Sequence, residues 1–289
     1  MNLYGDLEVT IDRLLKPQTL DFSDVNRQTL NQMNIVPQCF LKLKSGIEER
    51  IEKSKLSDRD EFWSSTQMYL HLTLLERVVS RECNNALTDF MLTTSHPQNE
   101  ATSRAWIDTF LFRASTMVAP GKRMIFNMDQ SIPSTTVDPS SLITISGHTD
   151  YMAVIAEDRV ATAYLENPFI DLAKLLRSGF VVTKAQTTPL SEYLPRVVFQ
   201  LYASAKQLET YTIRGALTNG REWQFIILSI NKGGNGASYK FSPIIDYSVL
   251  LPMDGGDPKP LQSRPDVIAG ILSDWVRWLM YHCQSRLVW

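Results

Sequence analysis

Basic side chains outnumber acidic ones between residues 180 and 240. This segment contains seven basic residues, Lys184, Arg196, Lys206, Arg214, Arg221, Lys232 and Lys240. It contains three acidic residues, Glu192, Glu209 and Glu222. Lysine and arginine side chains contact the phosphates of nucleic acids. The surplus therefore favours a nucleic-acid-binding face, for which we select Lys206, Arg214 and Arg221. An ordinary solvated surface could have the same composition and stays open as the alternative.

Charged residues at the predicted ends of strands and helices are further candidates for a site. Asp150 opens an apolar strand in the segment GHTDY, and Glu100 follows Asn99 at the start of a helix. Asp150 could instead orient the end of the strand, and Glu100 could stabilise the first helical turn through the helix dipole. His148 could join Asp150 at a metal, or it could be hydrogen bonded near a turn.

The sequence lacks the motifs of several other kinds of functional site. The sequence contains no GxSxG nucleophile motif and no CxxC pair. Its three cysteines, Cys39, Cys83 and Cys283, lie far apart and are predicted to be buried thiols. The glycine-rich residues 232–236 lack the GKS or GKT ending of a phosphate-binding loop and lie between two predicted strands. We interpret them as a flexible hairpin loop.

Hydrophobic periodicity predicts a helical region followed by an α+β unit. Apolar residues recur at spacings of three and four through the first third of the chain, so residues 1–96 are predicted to form a helical N-terminal region. Residues 97–289 are predicted to form the α+β unit. Its expected helices are residues 100–117, 189–208 and 265–283. Its expected strands are residues 122–128, 142–145, 151–156, 160–165, 180–185, 212–217, 222–230 and 239–247. Asn219-Gly220 predicts a hairpin, because both residues tolerate positive φ.

Three segments in this order resemble the PD-(D/E)XK nuclease superfamily: GHTDY (residues 147–151), GFVVTKA (179–185) and ALTNGREW (216–223). The similarity is to the N-terminal nuclease domain of type I restriction enzyme R subunits and to related uncharacterised fungal proteins. It covers roughly residues 100–247. The resemblance implies a restriction-endonuclease-like core, with a mixed central sheet flanked by helices, and Mg²⁺-dependent hydrolysis of phosphodiester bonds.

The resemblance also implies a set of site residues. Asp150 and Glu100 would hold Mg²⁺, which prefers oxygen ligands and would activate water. The second strand carboxylate falls on Thr183 and the lysine on Ala185, so this chain has neither. Lys184 comes one residue early and should face the other side of the strand, unless a β-bulge turns it inward. We expect Asp150 and Thr183 on neighbouring strands with their side chains on one face.

These features predict a nucleic-acid-binding protein whose metal site has decayed, with DNA or RNA as its partner. One alternative is an active Mg²⁺-dependent nuclease that uses Asp150, Glu100 and a repositioned Lys184 as catalytic residues. Another is a protein-interaction scaffold whose partner binds the N-terminal helical region.

Composition sets the broad class of the protein. The chain has 289 residues, 44% of them hydrophobic, and a net charge of -2, which excludes wholesale disorder and a histone-like polycation. Acidic residues among the first fifteen do not fit a signal or transit peptide, and the longest apolar stretches are too short to span a bilayer. We therefore expect an intracellular protein, cytoplasmic or nuclear, with no membrane partner.

Overall fold

A computed structural model gives the architecture of residues 18–42, 100–115, 118–138, 141–167, 179–184 and 189–246, and of eight helical positions between residues 268 and 279. The strands are β1 (Gln18–Asp21), β2 (Ile35–Phe40), β3 (Lys122–Asp138), β4 (Ser141–Glu157), β5 (Gly179–Lys184), β6 (Thr212–Thr218), β7 (Glu222–Ile230), β8 (Ala237–Phe241) and β9 (Ile245–Asp246). The helices are α1 (Arg27–Gln32), α2 (Glu100–Ser115), α3 (Asp158–Glu166) and α4 (Leu194–Gln207). Short 3₁₀ turns span Phe22–Asp24 and Leu190–Glu192.

The nine described strands form one sheet with both parallel and antiparallel pairs. Its order is β1-β4-β5-β6-β7-β8-β2, with β3 paired to β4 and β9 paired to β7. The pairs β3–β4, β4–β5, β6–β7 and β7–β8 are antiparallel, whereas β5–β6 is parallel and is joined by the crossover helix α4. This large mixed sheet with its helices agrees with the predicted α+β class.

Side chains that alternate along the strands divide the core into two layers. On one face, Met152 and Val181 pack with α4, whose residues from 194 to 205 are almost all buried. On the other face, Tyr151 and Val182 pack with α2 and with the helical positions from Ile268 to Leu279. The predicted helices at 100–117, 189–208 and 265–283 are confirmed where the structure describes them, and the first of these packs on the sheet as expected.

The N-terminal residues 18–42 contribute strands to the same sheet. β1 pairs in parallel with residues 143–146 of β4, and β2 pairs in parallel with β8. The prediction of helix for residues 1–96 is therefore wrong for β1 and β2, while α1 is helical. Residues 1–17 and 43–96 lie outside the described residues. Both strands are stabilised by pairing with distant residues, which leaves little local pattern to detect. Cys39 is exposed on β2, so the prediction of a buried thiol is also wrong there.

A second correction concerns residues 160–165, which belong to helix α3 and do not form a strand. Asp158 lies in the first turn, where the negative charge of a carboxylate interacts favourably with the helix dipole. Ala161 is buried, and the Tyr164 hydroxyl, three residues later, donates a 2.9 Å hydrogen bond to Asn127 Oδ1 of β3. Spacing of three places both side chains on the sheet-facing side of a helix.

The β6–β7 hairpin is confirmed, although its turn differs from the expected two-residue type. Only Gly220 of the Asn-Gly pair adopts a positive φ, of 90°. Asn219 Oδ1 instead accepts hydrogen bonds from the backbone amides of Arg221 (3.0 Å) and Glu222 (2.7 Å). A Cβ on Gly220 would lie 2.9 Å from the carbonyl oxygen of Ser103, so this turn packs closely against α2.

The glycine-rich loop between β7 and β8 gives a stability test of the β2–β8 side of the sheet. Gly236 and Gly233 both have positive φ, but only a Cβ on Gly236 would overlap the carbonyl oxygen of Asn34, which precedes β2. We expect both Gly→Ala changes to cost about 1–2 kcal/mol of backbone strain. Gly236→Ala should lose about 1–3 kcal/mol more, since the overlap must displace the backbone. Urea unfolding measures the difference, and equal losses for the two variants would contradict this packing.

Candidate functional site: a charged cluster beside the middle of β4 and the end of β5

The register of β4 and β5 places Asp150 and Thr183 opposite each other. Tyr151 pairs with Val182 in this antiparallel ladder, so one step further Asp150 faces Thr183. Val181 belongs to the α4 layer and Val182 to the α2 layer. Alternation therefore directs Thr183 toward α4 and Lys184 toward α2. This confirms both the shared face of Asp150 and Thr183 and the opposite orientation of Lys184.

Thr183 is hydrogen bonded to a glutamine at the position where the resemblance implies a carboxylate. Its hydroxyl donates to Gln200 Oε1 at 2.6 Å, and Gln200 Nε2 donates to the His148 carbonyl oxygen at 2.8 Å. Thr183 and Gln200 are both fully buried. The amide of Gln200 thus joins α4 to the middle of β4 and the end of β5 without any charge. Gln200 was not one of the site residues selected from the sequence.

Lys184 contacts both of the predicted acidic residues. Its Nζ forms an ion pair with Glu100 Oε1, and its backbone amide donates to Asp150 Oδ2 at 2.8 Å. The Lys184 side chain is only 4% exposed, whereas that of Glu100 is 66% exposed. The structure therefore brings together the three residues that the sequence selected as catalytic candidates: Asp150, Glu100 and Lys184.

Two further residues extend this group into what we call the charged cluster: Glu100, Arg104, Asp129, Asp150 and Lys184. Arg104 Nε lies 3.5 Å from Glu100 Oε1, and its Nη2 lies 3.6 Å from Asp129 Oδ1. Glu100 and Arg104 are four residues apart on α2, a spacing from which their pairing could have been predicted. Asp129 had no such signal, since it depends on a left-handed backbone (φ 49°) within β3.

The acids of the cluster respond differently to their surroundings. Burial raises the pKa of Asp150, although the Lys184 amide and the charges of Lys184, Arg196 and Arg104 act in the opposite direction. The hydrogen bond and charge of Lys184 lower the pKa of Glu100, and Arg104 adds to that effect. Asp150 is thus a partly buried carboxylate whose ionised form is disfavoured. Glu100 is an exposed carboxylate whose ionised form is favoured.

The raised pKa of Asp150 predicts a stability change of definite sign. Because the folded-state pKa lies above the unfolded value, ionisation of Asp150 costs folding free energy at neutral pH. Asp150→Asn keeps the acceptor oxygen and should raise the melting temperature at pH 7. The gain should fade as the pH falls through the raised pKa toward about 4. Thermal melts across this pH range measure the effect, with exposed Asp24→Asn as the control. If Asp150→Asn is less stable than the wild type at pH 7, the conclusion that the pKa of Asp150 is raised is contradicted.

The side chains of the cluster do not fit the Mg²⁺ site that the resemblance implies. Mg²⁺ requires several oxygen ligands in near-octahedral geometry. Glu100 is instead neutralised by Lys184 and Arg104, and the hydroxyl of Thr183 is committed to Gln200. Within the described part of the chain, no three His, Cys, Asp or Glu side chains are grouped to hold a metal ion.

The three residues selected for nucleic-acid contacts are not brought together. Lys206 Nζ donates to the Gly234 carbonyl oxygen and lies 5.5 Å from the ring centre of Tyr202. Arg221 Nε lies 3.4 Å from Asp246 Oδ1. Lys206 precedes β6 and Arg221 follows it. The seven residues of β6 span about 23 Å, so Lys206 and Arg221 lie toward opposite ends of this strand.

Arg214 lies on the α2 face of β6, because it pairs with Phe180, a member of that layer. Burial lowers the pKa of Arg214 to about 10, and the negative charge of Asp274 acts in the opposite direction. A side chain so placed is poorly situated to contact a long polyanion. A single patch that contains Lys206, Arg214 and Arg221 is therefore not what the structure presents.

Comparisons with known proteins give no family assignment. A scan against protein-family models finds no match, and a search of curated proteins finds no significant match. Among the residues that the structure describes, no helix is long and apolar enough to cross a membrane.

Proposed function

We propose that this chain is a nucleic-acid-binding protein on a PD-(D/E)XK nuclease-like fold, and that the Lys184–Glu100 ion pair takes the place of a working metal site. The observation that carries the proposal is the position of Lys184. Its ammonium contacts Glu100 and its amide contacts Asp150, which are the two acids that the resemblance assigns to the metal.

The order of elements supports the relationship to the nuclease fold. Helix α2 is followed by the antiparallel strands β3 and β4, by helix α3 and by β5, which is antiparallel to β4. The crossover helix α4 and the strand β6, which is parallel to β5, come next. This arrangement brings the start of α2 to Asp150 in the middle of β4 and to the end of β5. The resemblance, which was inferred from sequence segments alone, requires the same meeting of Glu100, Asp150 and the end of β5.

Loss of cleavage is proposed from the chemistry of the two strand positions. A carboxylate at residue 183 would face Asp150 and could share a metal with it, but Thr183 has no charge. Its hydroxyl is also bonded to Gln200 at 2.6 Å. With one carboxylate removed and another paired with Lys184, too few free oxygen ligands remain to bind Mg²⁺ tightly.

Binding is proposed from the cations that remain near Asp150. The charges of Lys184, Arg196 and Arg104 all favour the ionised form of this carboxylate, so three cations lie around Asp150. Such groups attract phosphates and release counterions when they bind them. The chain as a whole has a net charge of -2, so binding must depend on this local group and not on the overall charge.

Fluorescence anisotropy with labelled single-stranded and duplex DNA and RNA, in EDTA, tests this function. We expect binding that needs no divalent cation and weakens linearly with the logarithm of salt concentration. Arg104→Gln, which removes a one-third-exposed cation, should reduce the salt slope by about one unit. Exposed Arg159→Gln is the matched control, because Arg159 follows the far end of β4, about 24 Å along the strand from Asp150.

The absence of binding to all four probes at low salt would reject this function. The protein-interaction scaffold would then be the preferred function, with residues 1–96 as the first place to look for the partner. Binding accompanied by Mg²⁺-dependent cleavage would instead favour the active nuclease.

A further inference from the structure

Arg196 lies on the face of α4 that is directed at the middle of β4 and the end of β5. It precedes Gln200 by four residues, one helical turn, so the two side chains share a helix face. Gln200 contacts Thr183 and the His148 carbonyl oxygen. Because α4 leads from the end of β5 back to the start of β6, it runs antiparallel to both strands. Arg196 is therefore displaced about 5.4 Å from Gln200 in the direction of the carboxyl end of β5.

No acid in the described part of the chain neutralises the guanidinium of Arg196. Its Nε is a buried atom without a hydrogen bond, and in the described ranges no acid lies within ion-pair distance of it. Asp150 and Asp21 are near enough for its charge to lower their pKa values, but neither is bonded to it. Asp21 is committed instead to Ser23, whose backbone amide and hydroxyl donate to Oδ1 at 2.8 and 2.7 Å.

Among the described residues, Lys184, Arg104 and Arg221 at this end of the sheet are each paired with an acid. Lys184 is neutralised by Glu100, Arg104 by Glu100 and Asp129, and Arg221 by Asp246: in each case the nitrogen–oxygen distance is within 3.6 Å. A buried guanidinium nitrogen without an acceptor is unfavourable, and an incoming anionic oxygen would remove that cost. A polyanion that contacts a paired cation must displace its acid, which costs binding free energy. Arg196 has no such acid, so a contact with Arg196 contributes most to the binding of a polyanion.

We propose that Arg196 is a phosphate-binding residue of this protein and accepts one phosphodiester of a bound nucleic acid beside Asp150. This inference rests on the proposed nucleic-acid-binding function and assigns it a specific contact. A phosphate at Arg196 would lie close to the Asp150 carboxylate, so the two negative charges would repel each other. Binding and the charge of Asp150 are therefore coupled through this position.

The experiment measures affinity for a labelled duplex and a labelled single strand over a salt series, using the full chain and the variants Arg196→Gln, Arg196→Lys and Arg159→Gln. We expect Arg196→Gln to weaken binding about tenfold. The salt slope should flatten by about 0.9 for the duplex and about 0.7 for the single strand. Arg196→Lys should keep the salt slope and lose less affinity, because it preserves the charge but not the planar donor pair. Arg159→Gln should match the wild type.

A second readout separates a phosphate contact from a structural role. Asp150→Asn removes the repulsion and should tighten binding roughly fivefold in the wild-type background. In the Arg196→Gln background the same change should have little effect, because the phosphate no longer lies beside residue 150. Melting temperatures show whether each variant is folded. If Arg196→Gln is not folded, the wild type is compared with Arg196→Lys alone.

The outcomes distinguish this inference from the function on which it rests. If the wild type binds neither probe, both are rejected. If the wild type binds and Arg196→Gln behaves like Arg159→Gln, the role of Arg196 is rejected while nucleic-acid binding stands. Equal tightening by Asp150→Asn in both backgrounds would also reject the contact at Arg196.

Discussion

Replacing Thr183 with glutamate is expected to lower the free energy of unfolding by about 3–5 kcal/mol in the absence of divalent cations. Thr183 is 1% exposed, and its hydroxyl donates to Gln200 Oε1 at 2.6 Å. A carboxylate there cannot donate, so it would place a buried negative charge against the amide oxygen and opposite Asp150. Thr183→Val is the control, since it removes the hydroxyl without adding charge and should cost about 1–3 kcal/mol.

The same variant tests whether a metal site can be restored. Mn²⁺ bound between the new carboxylate and Asp150 would stabilise the folded state by linkage, by about 2.7 kcal/mol at a hundred times the dissociation constant. Urea unfolding with and without Mn²⁺ should therefore recover part of the loss in Thr183→Glu but not in Thr183→Val. Equal responses of both variants to Mn²⁺ would count against the metal-site origin of this position. Ala185, the position at which the resemblance implies a lysine, lies outside the described residues.

Replacing Trp223 with alanine is expected to cost about 3–5 kcal/mol of stability. Trp223 is fully buried, with its ring centre 5.2 Å from that of Phe110 on α2 and 6.0 Å from that of Phe225 on β7. Its Nε1 donates to the Gly220 carbonyl oxygen at 3.1 Å. Trp223 therefore joins the β6–β7 hairpin to the helix that carries Glu100 and Arg104.

Chemical denaturation of Trp223→Ala and Trp223→Phe separates the contributions of packing and hydrogen bonding. The phenylalanine variant keeps most of the aromatic contact and loses the indole donor, so we expect a smaller loss, of about 1–3 kcal/mol. A Trp223→Ala loss below about 1 kcal/mol would show that the hairpin is not anchored to α2 as described.

The elements that were predictable are those with a strong local pattern. Alternating apolar residues and the Asn-Gly pair located β6 and β7, and the apolar positions of residues 194–208 located α4. Residues 160–165 were misassigned because Val160, Ala161 and Tyr164 suit both a strand and one side of a helix. β1 and β2 were missed because each is short and is held by a distant strand, β4 or β8.

The sequence selected Asp150, Glu100 and Lys184 as one group of residues, and the structure brings them together, but their contacts were not predictable. The alternation of side chains along a strand correctly predicted that Lys184 faces away from Asp150 and Thr183. Its ion pair with Glu100 joins residues 84 positions apart, and only the packing of α2 on the sheet brings them together. The roles of Gln200 and Asp129 likewise depend on the crossover of α4 and on a left-handed residue in β3. Neither feature leaves a local signal in the sequence.

Hydrolysis of DNA is the most direct test of the central claim that this fold binds nucleic acid without efficient metal-dependent cleavage. The measurement compares the wild type with Asp150→Ala on plasmid and single-stranded DNA, in Mg²⁺ and in Mn²⁺, at protein concentrations that saturate binding. We predict equal, background rates for the two proteins, because Thr183 supplies no carboxylate and Lys184 neutralises Glu100. Metal-dependent turnover by the wild type that disappears in Asp150→Ala would contradict the claim and identify the protein as an active nuclease.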